Sequence, residues 1–174
     1  MFSKNHPIIL FLDRSGFSLF QDTLPNIAKF NFTPDIVANL DVVNKEQFSN
    51  LIATFIQINK IIPSSLTVIL SDTVIYTKSL VNAQNPPSIP SDVDDQHEEE
   101  IQNFLEDIPF EEVLAKVVKI NQSSSIVAVN KDLVMTIADA FANKGSEIEA
   151  IIPSFMYGPN VSFATGLTQN NIRV

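Results

Sequence analysis

Carboxylates are the side chains of this sequence whose number and spacing could do chemistry. Aspartate and glutamate together number 20, against 11 lysines and arginines. They are densest in residues 92–100, where a calcium site would need a regular ligand loop with a glycine turn that this stretch lacks. Adjacent acids occur at Glu106-Asp107 and Glu111-Glu112, but glycoside hydrolysis needs two acids that face each other across a cleft. The acidic run therefore predicts a solvated surface, which a basic partner could contact.

Histidine, cysteine and serine also give no catalytic or metal-binding pattern. The two histidines, His6 and His97, have neither a cysteine nor a second histidine at ligand spacing, so we expect no metal site. The absence of cysteine excludes disulfides and thiolate metal sites. Ser64-Ser65 and Ser123-Ser124-Ser125 lack a nearby general base and the glycines of a nucleophile elbow, so they are typical of turns. The residues alone therefore indicate no enzyme active site.

Charge and hydropathy narrow the class of partner. A net charge of −9 and a pI near 4.5 argue against nucleic acid and against an electrostatic membrane anchor, because both need a basic surface. The apolar run Ile8–Leu12 is too short for a signal peptide and ends at Asp13-Arg14. No run approaches the roughly 18 apolar residues of a membrane span. We therefore expect a cytoplasmic chain, or the cytosolic part of a longer membrane-associated protein.

The first 80 residues predict strands on either side of one long helix. Ile8–Leu12 is apolar at every position, as in a strand buried on both faces, and Ser15-Gly16 supplies a hairpin turn. Further strands are predicted at 17–20, 27–32, 66–70 and 73–80. Asn44, with Gln47 three residues later, forms a capping-box pattern, and apolar residues then recur at helical spacing. This region therefore reads as β-β-β-α-β, followed by one more strand.

Residues 83–96 separate these elements from the rest of the chain. Three prolines with small polar and acidic residues cannot bury enough surface to become ordered, so we expect an exposed loop inside the fold. After it, Asp95 is expected to cap a short acidic helix, and Asn130 to cap a long helix that ends at Gly145. The remaining strands are predicted at 113–120, 125–129 and 148–152. Together with 73–80, the order is β-α-β-β-α-β, as in ferredoxin-like folds.

A set of motifs between residues 98 and 158 carries a family resemblance. An acidic helix leads into Pro109-Phe110-Glu111-Glu112-Val113, a strand passes into a helix at Ile126–Leu133, and that helix ends in Asn143-Lys144-Gly145. This segment resembles the subdomain inserted in PilM and FtsA, a branch of the actin-like ATPase superfamily. The resemblance implies an α/β (α+β) fold, in which an actin-like (ribonuclease H-like) half-domain, 1–72 and 153–174, carries an inserted ferredoxin-like subdomain, 73–152, which includes the loop 83–96.

The same resemblance implies a nucleotide-binding hairpin. The family pattern is Asp-x-Gly-Ser/Thr, and the corresponding residues here are Asp13-Arg14-Ser15-Gly16-Phe17. It implies Asp13, Ser15 and Gly16 as cofactor-binding residues if nucleotide binds, but the glycine is shifted, and Arg14 and Phe17 add bulk to the turn. The alternative is that Asp13 is a strand-end acid that accepts hydrogen bonds from nearby backbone N–H groups. The chain stops before the second half of such a fold, and because nucleotide lies between the halves, this chain alone is not expected to form a complete nucleotide site.

The resemblance implies a non-catalytic, cytoplasmic scaffold of a bacterial pilus or secretion assembly, with protein partners, self-association included, and no cofactor or metal. We expect Phe110 and Val113 to contact partners, since the inserted subdomain mediates docking in the resembled family; burial in the core is the alternative for both. Two other functions stay open. The chain could be the N-terminal half of an ATP-binding, filament-forming actin homologue, with Mg·ATP bound to a longer natural form, or a free-standing α/β interaction domain of unrelated function. Nucleic acid and membrane insertion of this segment are not expected.

Overall fold

The computed structural model describes residues 6–80, 95–120 and 123–157. In chain order the strands are β1 (Ile8–Asp13), β2 (Gly16–Phe20), β3 (Ala28–Asn31), β4 (Val37–Ala38), β5 (Asp41–Val42), β6 (Ser65–Leu70), β7 (Ile75–Leu80), β8 (Val113–Ile120), β9 (Ser123–Asn130) and β10 (Glu147–Pro153). The helices are α1 (Lys45–Ile58), α2 (Asp95–Glu106) and α3 (Lys131–Ala142), and a 3₁₀ helix covers Ser154–Tyr157. The predicted succession of strands and helices is confirmed in these residues, except that the two short strands β4 and β5 were not predicted.

A five-stranded mixed sheet has the order β10-β6-β1-β2-β3. The first three strands of the chain form an antiparallel meander, while β6 runs parallel to β1, and β10 runs parallel to β6. The apolar sequence of β1 fits its place inside this sheet, because Leu10 is buried on one face and Ile9 on the other. The parallel strands β1, β6 and β10 bring their carboxyl ends to one edge of the sheet.

The main core lies between this sheet and the helices α1 and α3, which pack against each other. Phenylalanine rings fill much of it. Phe17 stacks on Phe30 with ring centroids 4.9 Å apart, and it meets Phe55 of α1 edge to face at 5.3 Å. Both are favourable geometries for aromatic pairs. These ring contacts therefore pack the antiparallel meander against α1.

The two long helices begin and end as the sequence predicts. Asn44 Oδ1 accepts a hydrogen bond from the N–H of Gln47 at 3.0 Å, and Asn130 Oδ1 accepts one from the N–H of Leu133 at 3.2 Å. Both are N-cap bonds that satisfy donors at a helix start. Beyond α3, Gly145 has a φ of +90°, a conformation that favours glycine where a helix ends.

A second sheet has the order β7-β9-β8, with α2 beside β7. We expected 73–152 to form a ferredoxin-like β-α-β-β-α-β subdomain, and this is wrong for the last helix and strand. β10 pairs with β6 in the five-stranded sheet, and α3 packs against α1. The physical reason is burial, since apolar residues of α3 such as Ile137 and Phe141 complete the core that α1 begins. Element order does not specify which sheet accepts a final strand.

Several predictions concern residues at the limits of the described chain. Residues 83–94 of the expected loop, and 158–174 of the expected half-domain, lie outside the described residues. The helix α2 begins at Asp95, so this residue lies in the helix and not ahead of it as a cap. The domain boundaries stay a prediction. Strand β10 includes residues on both sides of the boundary proposed between 152 and 153. Among the described residues no helix is long and apolar enough to cross a membrane.

Candidate functional site

The carboxyl ends of β1, β6 and β10 form the edge of the sheet at which open α/β proteins usually bind ligands. Three segments leave the strands here: the turn Asp13–Gly16, the segment Ser71–Thr73, and Ser154. Hydrogen bonds hold them together. The N–H of Ser71 donates to the carbonyl oxygen of Leu12 at 2.9 Å, and Ser154 Oγ donates to Asp72 Oδ1 at 2.9 Å. We call these three segments the sheet-edge site.

Asp13 closes its own turn. Its Oδ1 accepts hydrogen bonds from the N–H of Ser15 at 2.6 Å, from Ser15 Oγ at 2.6 Å and from the N–H of Gly16 at 3.1 Å. This is the pattern in which an aspartate at the end of a strand stabilises the following turn. The geometry therefore fits the interpretation of Asp13 as a strand-end acid, and its role toward a metal or phosphate stays a prediction.

The third N–H of the turn is also occupied. The N–H of Arg14 donates to Thr73 Oγ1 at 3.2 Å. Thr73 is itself held by Ser71, through a hydroxyl–hydroxyl hydrogen bond of 2.6 Å and a bond of 3.0 Å from its N–H to Ser71 Oγ. Three successive backbone N–H groups, those of Arg14, Ser15 and Gly16, therefore bond to protein atoms. A phosphate cradle needs such groups directed at the ligand.

Gly16 is required by the neighbouring strand. A Cβ at this position would lie 2.0 Å from the carbonyl oxygen of Phe30 and 2.9 Å from the Cα of Asn31, distances that real Cβ atoms do not adopt. The close approach follows from the pairing of Gly16 with Asn31 across β2 and β3. The glycine that the resemblance assigned to phosphate binding thus has a structural role in the sheet.

The acids at this edge already accept hydrogen bonds from protein groups. The acids of the three segments are Asp13, whose Oδ1 accepts three hydrogen bonds, and Asp72, which accepts one from Ser154. Magnesium is usually held by carboxylates together with phosphate oxygens and water. In the described ranges no group of three or more histidine, cysteine, aspartate or glutamate side chains could hold a metal ion.

The predicted partner-binding residues lie apart from this edge, where the chain enters β8. The Phe110 ring meets Tyr76 edge to face with centroids 5.6 Å apart, and it packs against the edge of the main core. Val113 is half-buried and lies opposite Asn130 across β8 and β9. Packing thus accounts for part of each side chain and leaves part at the surface. Partner binding by Phe110 and Val113 stays a prediction.

Two ion pairs connect the start of α3 to its neighbours. Lys131 Nζ lies 2.6 Å from Glu112 Oε2, at the entry to β8, and Lys45 Nζ of α1 lies 2.8 Å from Asp132 Oδ1. The hydrogen bond to Glu112 raises the pKa of Lys131, and the hydrogen bond to Asp132 raises the pKa of Lys45. Both pairs are exposed, so solvent screens them.

Sequence reasoning missed Ser71, Asp72, Thr73 and Ser154. The structure places them beside the predicted Asp13, Ser15 and Gly16. A signal was present, because the first three directly follow the buried run of β6, and Ser154 directly follows β10. Polar residues that follow neighbouring parallel strands collect at one edge. Recognising them required knowing that β10 lies beside β6, and the sequence had suggested another sheet for β10.

No protein-family model and no curated protein matches this sequence. Among solved structures, 90% of the chain aligns with PilM from a PilM–PilN type IV pilus biogenesis complex, with a TM-score of 0.56 and 13% identity. The protein has an actin-like fold. The alignment covers 49% of the PilM chain, so this chain spans about half of that protein's length. The predicted resemblance is therefore confirmed at the level of the fold.

Two other solved structures are similar. One is the cytoplasmic domain of EpsL, an inner membrane component of the type II secretion system of Vibrio cholerae, with 15% identity, a TM-score of 0.46, and coverage of 88% of this chain and 59% of that one. The other is a Bacteroides thetaiotaomicron protein with an actin-like ATPase fold, with 11% identity, a TM-score of 0.47, and coverage of 87% and 52%.

Proposed function

We propose that this protein is a non-catalytic, cytoplasmic scaffold of a bacterial pilus or secretion assembly, and that it acts through protein–protein contacts. The PilM-like fold supports the type of assembly, since the PilM chain that it resembles was solved in a complex with PilN. A net charge of −9 supports protein over nucleic acid as the partner.

The non-catalytic part of the proposal rests on the turn after β1, where the backbone N–H groups already donate hydrogen bonds to protein atoms. The N–H groups of Ser15 and Gly16 donate to Asp13, and the N–H of Arg14 donates to Thr73. Phosphate could take these donors only if the hydrogen bonds of the turn were broken. Each broken hydrogen bond would have to be replaced by one to the phosphate, and this exchange removes most of the benefit of a preformed anion site.

An ATP-binding actin homologue is the second candidate. One observation favours it, namely that Asp13 and Asp72 both lie at the carboxyl edge of parallel strands, where a second half of the protein could close over nucleotide. Because the chain spans about half of the PilM chain, that second half would have to come from a longer form. The turn would then rearrange when nucleotide binds.

Calorimetric titration of Mg·ATP into the longest natural form separates these two functions. Asp13→Asn is the matched variant, since its amide oxygen can still accept the hydrogen bonds of the turn while its charge is lost. The scaffold proposal expects no saturable heat in either protein, with circular dichroism showing that both are folded. Saturable binding by the parent that Asp13→Asn abolishes would establish the nucleotide-dependent alternative.

A second titration tests the assembly itself. A soluble segment of a PilN homologue should bind the chain in the absence of nucleotide, and the complex should be detectable by sedimentation at matched concentrations. If neither this segment nor Mg·ATP binds a folded sample, the third possibility, a free-standing α/β interaction domain of unrelated function, would replace the proposal.

A further inference from the structure

Strand β8 is a long edge strand with apolar side chains at the surface. It is the last strand in the order β7-β9-β8, and within residues 6–80, 95–120 and 123–157 no strand pairs with its outer side. Leu114 is 37% exposed and Val117 is 39% exposed. An exposed edge of eight residues with apolar side chains is a template for pairing with another strand.

The register shows which backbone groups of β8 point outward. The N–H of Lys131 donates to the carbonyl oxygen of Glu112 at 3.0 Å, so these opposed residues form a hydrogen-bonded pair. Opposed pairs alternate in type along an antiparallel ladder. The N–H and C=O groups of Val113, Ala115, Val117 and Lys119 therefore point away from β9. They form a row of donors and acceptors at the spacing that an added strand needs.

The charge of β8 differs from that of the chain as a whole. Residues 113–120 contain two lysines, Lys116 and Lys119, and no acid, in a protein with a net charge of −9. Lys116 is exposed. Lysines on an edge strand oppose pairing with a second copy, because each copy would add two more positive charges to the same ladder. The exposed Lys116 favours an added strand that carries carboxylates on the same face of the sheet.

We propose that β8 accepts an extended acidic segment of a partner protein as a fourth strand of the β7-β9-β8 sheet. The outward backbone groups of β8 would supply the affinity, as in other cases of strand addition. Lys116 would select carboxylates on one face of the sheet, and Val117 would select an apolar neighbour on the other face. The inference deepens the proposed scaffold function and rests on it for the kind of partner. It also gives Val113 a role, because the row of outward groups begins at this residue.

The probe is a blocked ten-residue peptide in which glutamate and valine alternate between threonine ends. Its matched control has lysine in place of every glutamate. Both are titrated into the full chain, 1–174, and followed by amide chemical shifts. The glutamate peptide should bind at least about tenfold more tightly than the lysine peptide, with shifts at Ala115, Val117 and their neighbours. The variant Lys116→Glu should reduce this preference at least about threefold.

The variant Val117→Pro tests strand addition most directly. The N–H of Val117 points outward, so proline removes no bond to β9 but blocks strand addition, and edge strands tolerate proline at such positions. Val117→Thr keeps the N–H and the branched shape. The proline variant should retain the spectrum of a folded protein and lose binding at least about tenfold, while the threonine variant, which loses only part of the apolar contact, binds within about threefold of the parent.

Several outcomes would overturn the proposal. They are equal binding of the two peptides, full binding to a folded Val117→Pro variant, and shifts confined to other elements. A concentration-dependent dimer in sedimentation that Val117→Pro abolishes would make a second copy the occupant of the edge. A PilN homologue that binds Val117→Pro as tightly as the parent would leave the scaffold function standing and remove only this surface, so the two failures are distinguishable.

Discussion

The side chain of Gln21 and the backbone of Ile62 form a reciprocal hydrogen-bonded pair. Gln21 Nε2 donates to the carbonyl oxygen of Ile62 at 2.7 Å, and the N–H of Ile62 donates to Gln21 Oε1 at 2.9 Å. Nε2 also donates to the carbonyl oxygen of His6 at 2.8 Å, and Thr23 Oγ1 donates to Oε1 at 3.1 Å. Since Gln21 is fully buried, all four of its hydrogen-bonding positions are used away from solvent. One side chain thus joins the segment before β1, the end of β2 and the entry to β6.

Gln21→Leu should destabilise the protein by about 2 kcal/mol or more, because it leaves an N–H and two carbonyl groups without their buried partner. Gln57→Leu, at an exposed position of α1, is the matched control and should change stability by no more than about 0.5 kcal/mol. Urea unfolding followed by circular dichroism measures both variants. If Gln21→Leu were as stable as the Gln57→Leu control, water would have to replace the hydrogen bonds of the Gln21 amide at little cost.

Gly16→Ala should be among the most destabilising substitutions in the sheet. The added Cβ would meet the carbonyl oxygen of Phe30 at 2.0 Å, and both atoms belong to paired strands that cannot separate without breaking the ladder. We expect a loss of about 3 kcal/mol or more. Gly145→Ala is the matched control, since its Cβ would meet only Pro63 side-chain atoms at 3.5 Å and 3.9 Å, leaving the positive φ as the main penalty, about 1–2 kcal/mol. Thermal unfolding compares the two, and a smaller loss for Gly16→Ala would contradict the assigned role.

The two N-cap asparagines should differ in their contribution. Asn44 is exposed and caps α1, whereas Asn130 is buried, caps α3 through Leu133 and also donates from Nδ2 to Asp41 Oδ1 at 2.9 Å. Asn44→Ala should lower stability by about 1 kcal/mol, and Asn130→Ala by about 2 kcal/mol. The second loss is larger because it leaves the N–H of Leu133, a buried donor, without a partner. Urea midpoints of the two variants provide the test, and the reverse order would rule out burial as the cause.

Local signals predicted most elements of this fold. The caps at Asn44 and Asn130, the hairpin turn at Gly16 and the apolar run of β1 each depend on neighbours within a few residues, and the sequence therefore contains them. The place of β10 depends on which core has room for its apolar residues. That is a property of α1, α3 and β6 together, and a linear pattern does not encode it. The three-stranded sheet was mistaken for a larger one for this reason.

The sheet-edge site was predictable only in part. Asp13, Ser15 and Gly16 are adjacent in sequence and were found together. Their partner Thr73 lies 59 residues from Arg14, so the hydrogen bond between them follows only from the pairing of β1 with β6. The requirement for Gly16 likewise comes from Phe30 on another strand. Contacts across strands decide what the turn can bind, and those contacts follow from register.

The ion pairs at the start of α3 should make a small, pH-dependent contribution to stability. The folded-state pKa values of Lys45 and Lys131 are raised above the ordinary value of 10.5, through hydrogen bonds to Asp132 and Glu112. A raised folded-state pKa contributes stability that is complete below the unfolded-state pKa, and this stability is lost as pH rises through the folded-state value.

The double variant Lys45→Gln/Lys131→Gln should therefore be less stable than the parent at about pH 8, and the difference should shrink as the pH rises above the ordinary lysine pKa of 10.5. Urea midpoints of the two proteins at matched pH measure it, since effects of the other lysines and tyrosines cancel in the comparison. Added salt near 1 M should reduce the difference at about pH 8, because both pairs are exposed to solvent. A difference that stays constant with pH and salt would instead assign the effect to packing of the lysine stems.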